Sequence, residues 1–219
     1  MMPMFPLGSV LFPGMPLPLH VFEPRYQALV QHCLDGEPEF GVVLIERGSE
    51  VGGGDARTGI GVVARIVEAA RFDDGRWAIG AVGVRRIKVR RWMPDDPFPI
   101  AEVEDWPDES GEATSIELGP VVAVFRRVLA LASELGIPVP PATVEIVDDP
   151  VVALFQMSAA APLGPADRYD VLAAPGTRAR LDLVAELLDV QSEMLSAQMG
   201  MGDPDGAFDD GFGEDPEGL

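Results

Sequence analysis

The sequence predicts an α+β fold in which a β-rich first half with one inserted helix precedes a helical second half. Up to about residue 107, short runs rich in Val, Ile and Gly alternate with turn residues, as in a small barrel or sandwich. From about residue 110, apolar residues recur at helical spacing instead. We therefore expect a β-rich unit over residues 1–110, a helical unit over residues 111–200 and a tail over residues 201–219.

The segment LFPGMPLPLHVFEPRY, residues 11–26, is rich in apolar residues and yet contains four prolines. Proline lacks a backbone donor, so a segment of this kind is confined to a sheet edge or to a strip across a barrel. We expect residues 11–22 to be extended and to turn into a helix at Glu23-Pro24.

The inserted helix is predicted over residues 24–35. Apolar residues at 26, 29, 30, 33 and 34 form the stripe of an amphipathic helix. Pro24 suits the first turn, where its missing N–H has no partner to lose. Gly36 follows the last apolar position and is predicted to form a left-handed C-terminal cap.

Four further runs read as strands because they are rich in β-branched residues and alternate or are fully apolar. They cover residues 40–46, 59–72, 76–92 and 98–106. Asp73-Asp74-Gly75 separates the second and third runs, and Asp-Gly favours a tight hairpin turn. We therefore expect these two strands to pair antiparallel.

Helices are predicted after residue 110. Thr114-x-x-Glu117 matches a capping box for a helix that ends near Gly136, and Asp149-Pro150 starts one that runs to about Ala160. A short helix is expected over residues 165–173. Thr177 starts a last helix whose apolar stripe is wide enough to predict burial against several neighbours. Its members are Leu181, Leu183, Val184, Leu187, Leu188, Val190, Met194 and Leu195.

Composition limits the function. No apolar run approaches the roughly 18 residues of a membrane span, and the N-terminus lacks the basic region of a secretory signal. Cys33 is the single cysteine and there are two histidines, so neither a disulfide nor a metal site is expected, and no cofactor is predicted. A cytoplasmic protein follows from this cysteine usage.

The net charge of −20 opposes binding to nucleic acid, whose phosphates require a basic surface. Residues 202–219 carry seven acidic side chains and no basic one, and they are rich in Gly and Pro. We expect them to form a disordered, solvating tail.

Four motifs in order, LFPG at 11–14, LPL at 17–19, FEPRY at 22–26 and FGVV at 40–43, carry a family resemblance. The chain resembles the N-terminal substrate-binding domain of Lon proteases over roughly residues 3–200, and more closely the stand-alone bacterial proteins made of that domain. The resemblance implies a PUA-like β pseudo-barrel with an inserted helix, followed by a C-terminal helical bundle.

The same resemblance implies a non-catalytic module that binds unfolded or extended polypeptide segments, with a separate protease as a further partner. The sequence contains no phosphate-binding P-loop and is too short for the ATPase and protease modules of Lon, so we do not expect an enzyme. The proline-rich segment supplies the candidate binding residues, which are Phe12, Met15, Phe22, Arg25 and Tyr26. Glu23 and Arg25 have a second interpretation, a local ion pair that fixes the start of the helix.

The alternative function is RNA or nucleotide binding, since PUA-like folds include RNA binders. The basic run from Arg85 to Arg91 is the one segment that suggests it. Alternation places Arg86, Lys88 and Arg90 on one face of a strand, and among so many acidic residues we expect this run to pair with neighbouring carboxylates. Gly59-x-Gly61 resembles a dinucleotide motif, but a β run follows it, so we interpret it as the start of a strand.

Overall fold

The computed structural model describes residues 1–47, 56–109 and 115–201, and within these ranges it contains six strands and five helices. The strands are β1 (Met2–Leu7), β2 (Pro16–Val21), β3 (Glu39–Arg47), β4 (Ala56–Arg71), β5 (Trp77–Trp92) and β6 (Ile100–Asp105). The helices are α1 (Pro24–Asp35), α2 (Ser115–Glu134), α3 (Pro150–Ala160), α4 (Pro165–Ala173) and α5 (Thr177–Met201). The four predicted strands are confirmed as β3 to β6, and β1 was not predicted. None of the described helices is both long enough and apolar enough to cross a bilayer.

Five of the strands close into a ring. The sheet order is β2-β5-β4-β3-β1-β6, and β5 also pairs with β6. The ring therefore consists of β5, β4, β3, β1 and β6, and β2 lies outside it. Each strand of the ring contributes one residue to a small buried cluster, formed by Met4, Val43, Val63, Ile87 and Ala101. Gly41 makes room for it, because a Cβ at that position would lie 2.5 Å from the Met4 sulfur.

The β4–β5 hairpin is longer than the ring and extends beyond it. Both strands have 16 residues, and β2 pairs antiparallel with the extended part of β5, where Leu19 lies opposite Ile79. The predicted hairpin turn is confirmed: Gly75 has φ +88°, and its N–H donates to the Phe72 carbonyl at 2.9 Å. The result is a three-stranded ribbon that carries the proline-rich segment.

Strand β2 forms the outer edge of this ribbon, which confirms the expected edge position for residues 16–21. Residues 12–15 form a turn instead of the expected extended run, with the Met15 N–H donating to the Phe12 carbonyl at 3.1 Å. The Gly83 N–H donates to the Met15 carbonyl at 3.0 Å, so the backbone carbonyl of Met15 points towards β5. The backbone N–H and C=O groups of successive strand residues point to alternate sides. Those of Leu17 therefore also point towards β5, while the nitrogens of Pro16 and Pro18 point to the free edge. Proline is tolerated there since no ladder hydrogen bond is lost.

Helix α1 begins and ends as predicted and buries Tyr26, Leu29, Val30 and Cys33. The predicted left-handed cap at Gly36 is wrong, because this residue has φ −130°. The Gly36 N–H instead donates to the Cys33 carbonyl at 3.3 Å, which closes the last turn without a left-handed residue.

The four later helices pack on one another and on the sheet through one continuous apolar cluster. The Asp149 carboxylate accepts from the Val152 N–H at 3.0 Å, which confirms the predicted cap of α3, and Gly136 has φ +73° beyond the end of α2. Thr114 of the predicted capping box and the acidic tail from 202 to 219 lie outside the described residues.

The prediction that α5 packs against several neighbours is confirmed, although its apolar stripe is not buried along its whole width. Leu181, Val184 and Leu188 are buried, whereas Val190 is 48% and Met194 51% exposed. Helices α2, α3 and α4 contact α5, and this leaves part of its surface open.

A polar joint connects the strands to the helices. Arg86 of β5 is buried and donates to the carbonyls of Leu172 and Ala174 at 2.7 and 2.6 Å. The Asp108 carboxylate pairs with Arg86 and accepts two hydrogen bonds from Arg180 of α5, at 2.7 and 2.8 Å. Burial lowers the pKa of Arg86 to about 10. Burial alone would raise the pKa of Asp108, but the hydrogen bonds and charge of Arg180 hold it below its usual value.

Candidate functional site

Two of the five predicted binding residues lie in the core. Phe12 is 1% exposed and stacks on Phe155 of α3, with 5.3 Å between ring centroids. Tyr26 is 4% exposed and stacks on Phe5 of β1 at 4.1 Å. The proline-rich segment turns these rings inward, towards the apolar cluster, so Phe12 has no surface to offer to a partner.

The other three residues differ in exposure. Met15 is half-buried and packs against the core. Arg25 is also half-buried; its Nε donates to Glu23 Oε2 at 3.1 Å, and its guanidinium lies 4.5 Å from the centre of the Tyr26 ring. This geometry agrees with the local ion pair at the start of α1. Phe22 is 56% exposed and projects from the junction that this pair fixes.

A small hollow of about 90 Å³ lies beside Phe22. It is lined by Phe5, Leu7, Leu19, His20, Val21, Phe22, Glu23 and Tyr26. Tyr26 thus contributes to its wall although the side chain is almost fully buried.

A larger groove of about 560 Å³ lies on the ribbon next to this hollow. It is lined by Pro18, Leu19, His20, Glu68, Ala69, Ala70, Ala78, Ile79 and Gly80. Leu19 and His20 line both spaces, so the two adjoin. The groove is open because its residues on β4 and β5 are mostly small: a Cβ at Gly80 would lie 2.8 Å from the Glu68 side chain.

A second exposed aromatic residue borders this region. Phe72 precedes the hairpin turn, is 44% exposed and meets the His20 ring edge-on at 5.7 Å. We call this region the ribbon surface and define it by Pro18, His20, Phe22, Phe72, Ala78 and Gly80.

The chemistry of the groove is mainly apolar. His20 and Glu68 are its ionisable lining residues. At the turn, Asp74 and Arg76 form an ion pair at 2.7 Å, so their charges compensate each other. Such a surface suits apolar side chains with a few backbone hydrogen bonds.

The predicted pairing of the basic run is confirmed for its four arginines. Arg85 bonds to Glu39 and to Asp105, both at 2.9 Å, Arg91 pairs with Glu102 at 3.2 Å, and Arg86 and Arg90 pair with Asp108 and Glu104. Burial alone would raise the pKa of Glu39, but hydrogen bonds from Arg65 and Arg85 hold it below its usual value. These four arginines are therefore occupied by carboxylates of the chain, which leaves Lys88 as the one basic residue of the run without an ion pair among the described residues.

Sequence reasoning missed Phe72, Ala78 and Gly80 as members of this surface. A signal existed: Phe72 stands directly before the Asp-Asp-Gly turn, and four of the six residues of AIGAVG at 78–83 are Ala or Gly. The position of β2 on β5, which brings His20 to Phe72, depends on a long-range pairing that no local pattern specifies.

The family model described as the ATP-dependent protease La (LON) substrate-binding domain matches residues 1–190. The chain is 30% identical over 205 residues to Lon protease 2 of Myxococcus xanthus, and 28% identical over 202 residues to a Lon protease of Anaeromyxobacter dehalogenans. Each match covers 89% of this chain and 24% of the relative, so the chain spans about a quarter of the length of these proteins.

Two solved structures are similar. The crystal structure of a Lon N-terminal domain protein from Xanthomonas campestris has a TM-score of 0.63 at 28% identity, covering 83% of this chain and 94% of the other. The N-terminal domain of a Mycobacterium avium complex Lon protease has a TM-score of 0.60 at 19% identity, covering 86% and 97%, and at this identity it supports the fold alone.

Proposed function

The chain belongs to the family of ATP-dependent protease La (LON) substrate-binding domains, and we propose that it binds unfolded or extended polypeptide segments at the ribbon surface without catalysing a reaction. The observation that carries this proposal is the pair of exposed aromatic rings, Phe22 and Phe72, beside an open apolar groove. Exposed apolar area of this kind is a feature of binding surfaces.

The proposed contact uses the face of the ribbon. Apolar side chains of a partner enter the groove beside Ala78 and Gly80. Phe22 and Phe72, which follow β2 and β4 at the turn end of the ribbon, cover them at that end. Strand addition at the free edge of β2 is disfavoured, because Pro16 and Pro18 have no N–H to donate there. In this arrangement Phe12 and Tyr26 anchor the segment to the core, Met15 supports it, and the Glu23–Arg25 pair orients Phe22.

The finer features predicted from the family resemblance are also proposals. The closed ring of five strands supports a PUA-like pseudo-barrel, and the contacts among α2 to α5 support a helical bundle beside it, with the units at residues 1–110 and 111–200. We further propose that the protein works in the cytoplasm and passes bound polypeptide to a separate protease.

The proposal is tested by measuring how the chain binds a model unfolded polypeptide. This polypeptide is a fluorescently labelled disulfide-containing protein that has been reduced and carboxymethylated so that it cannot refold. Burying the exposed half of a Phe side chain contributes about 1 kcal/mol, or about fivefold in affinity, per residue. The double variant Phe22→Asp/Phe72→Asp is therefore expected to bind at least 20-fold more weakly by fluorescence anisotropy.

The matched control is Val147→Asp, a comparably exposed apolar position that lines neither the groove nor the hollow. It should retain wild-type affinity. Equal binding by wild type and the Phe22→Asp/Phe72→Asp variant would contradict the proposal that polypeptide binds at the ribbon surface.

A further inference from the structure

The outward side of α5 carries a second apolar stripe, distinct from the one that packs on the other helices. Leu183, Leu187, Val190, Met194 and Ala197 follow one another at intervals of four, three, four and three residues, which is the spacing of a coiled-coil seam. We call this set the α5 stripe. Leu183 and Leu187 are half-buried, while Val190, Met194 and Ala197 are exposed.

The buried stripe of the same helix accounts for the contacts within the fold. Leu181, Val184, Leu188 and Leu195 are 5% exposed or less. Since they satisfy the packing against the neighbouring helices, the exposed part of the α5 stripe has no packing partner among the described residues. A regular apolar seam on the solvent side of a helix marks an interaction surface.

An acidic row borders the α5 stripe along its length. Asp182, Glu186, Asp189 and Glu193 each precede a member of the stripe by one residue, and all four are exposed. Asp182 pairs with Arg178 at 3.1 Å, whereas the other three form no ion pair within the described part of the chain. The sequence from 181 to 201 contains no Lys or Arg.

We infer that the α5 stripe docks an amphipathic helix of a partner protein whose apolar seam is bordered by Lys or Arg. The charges select this occupant over a second copy of the chain, because residues 181–201 of a second α5 have no basic residue to offer. Antiparallel α5 helices would bring the two acidic rows together, and parallel ones would place each row opposite the side of the partner helix that carries Gln191 and Gln198. From Leu183 to Met194 the stripe extends about 17 Å, or three helical turns. A partner helix of about 14 residues covers it, and a contact of this size lies at the small end of specific interfaces, where transient complexes are found.

This inference does not depend on the proposed polypeptide binding, because the α5 stripe shares no residue with the ribbon surface. The test uses the full chain and a synthetic 21-residue helix with Leu at heptad positions a and d and Lys at e and g. Calorimetry is expected to show one-to-one binding that weakens with salt. A second peptide with Glu in place of Lys is expected to bind at least 10-fold more weakly.

The deciding variant is Val190→Glu/Met194→Glu. It adds negative charge, so unspecific attraction to the basic peptide would leave binding unchanged or stronger, whereas docking at the α5 stripe predicts a loss of at least 10-fold. Circular dichroism checks that this variant folds. Glu186→Lys/Glu193→Lys should reverse the preference towards the Glu peptide, and Phe22→Asp should bind the Lys peptide like wild type.

Three results would overturn the inference: unchanged binding by Val190→Glu/Met194→Glu, equal binding of the two peptides, or loss of binding in Phe22→Asp. Sedimentation equilibrium tests the competing occupant. A dimer at micromolar concentration that this double variant dissociates would assign the stripe to a second copy and also contradict the inference.

Discussion

Replacing Asp108 with Asn is expected to lower the free energy of unfolding by about 3 kcal/mol, because it breaks the polar joint between strands and helices. Asp108 is the only carboxylate that pairs with both Arg86 and Arg180 among the described residues. The substitution leaves two buried guanidinium groups without a counter-charge. It also places the amide N–H₂ of Asn opposite the guanidinium N–H groups of Arg86 and Arg180, which are donors themselves.

The magnitude follows from the burial of this group. Removing one partner of a buried ion pair costs about 3–5 kcal/mol, and we take the lower end because the Asp108 side chain is 20% exposed. For a chain of this length each kcal/mol lowers Tm by about 2–4 °C, so a decrease of about 6–12 °C is expected. Urea unfolding followed by circular dichroism measures the free energy, and calorimetry measures Tm.

The control is Glu102→Gln, which removes a carboxylate from an exposed pair with Arg91. Exposed pairs contribute less than about 1 kcal/mol, so this variant should be close to wild type. If Asp108→Asn destabilises the protein no more than Glu102→Gln does, the joint does not hold the strands and helices together as argued.

The effect of Asp108 should depend on pH. Its pKa in the folded protein lies below the usual value, so the carboxylate stabilises the fold above the pKa of about 3.9 that it has in the unfolded chain. This stabilisation is lost as the pH falls through the folded-state pKa. The difference in unfolding free energy between wild type and Asp108→Asn should therefore be constant near pH 7 and shrink below about pH 4.

Further predictions concern packing. Gly83→Ala places a Cβ 2.3 Å from the Phe12 carbonyl oxygen, so it should lower the free energy of unfolding in urea by about 1–3 kcal/mol. The control Gly59→Ala, whose Cβ would have no atom within 4 Å, should not lower it. Equal effects of the two substitutions would contradict the close approach of Gly83 to Phe12. Cys33 is buried, and burial raises its pKa to about 12, so iodoacetamide at pH 8 should modify it only after denaturation, as followed by mass spectrometry. Rapid alkylation of the native protein would show that α1 opens easily.

The local elements were predictable because their signals are local. Pro24 with a regular apolar stripe fixed α1, and Asp73-Asp74-Gly75 fixed the β4–β5 turn. Gly36 misled because a negative-φ end with a short-range hydrogen bond closes the helix equally well. Helix ends admit several solutions, and sequence alone does not select among them.

The binding surface was only partly predictable because exposure depends on long-range packing. Phe12 and Phe22 have the same side chain on one proline-rich segment, yet the first stacks on Phe155 of α3 and the second faces solvent. The extended segment reaches both the core and the surface. Which ring lies where is decided by the pairing of β2 with β5 and by helices more than a hundred residues away.

Site-specific photo-cross-linking shows whether the ribbon surface holds polypeptide. Benzoylphenylalanine replaces Phe72 in one variant of the chain and Val147 in a second variant. Each variant is irradiated in the presence of the fluorescently labelled, reduced and carboxymethylated substrate. The account predicts strong cross-linking from position 72 and little from position 147, with the position-72 product competed away by excess unlabelled unfolded protein. Equal cross-linking from both positions would contradict it.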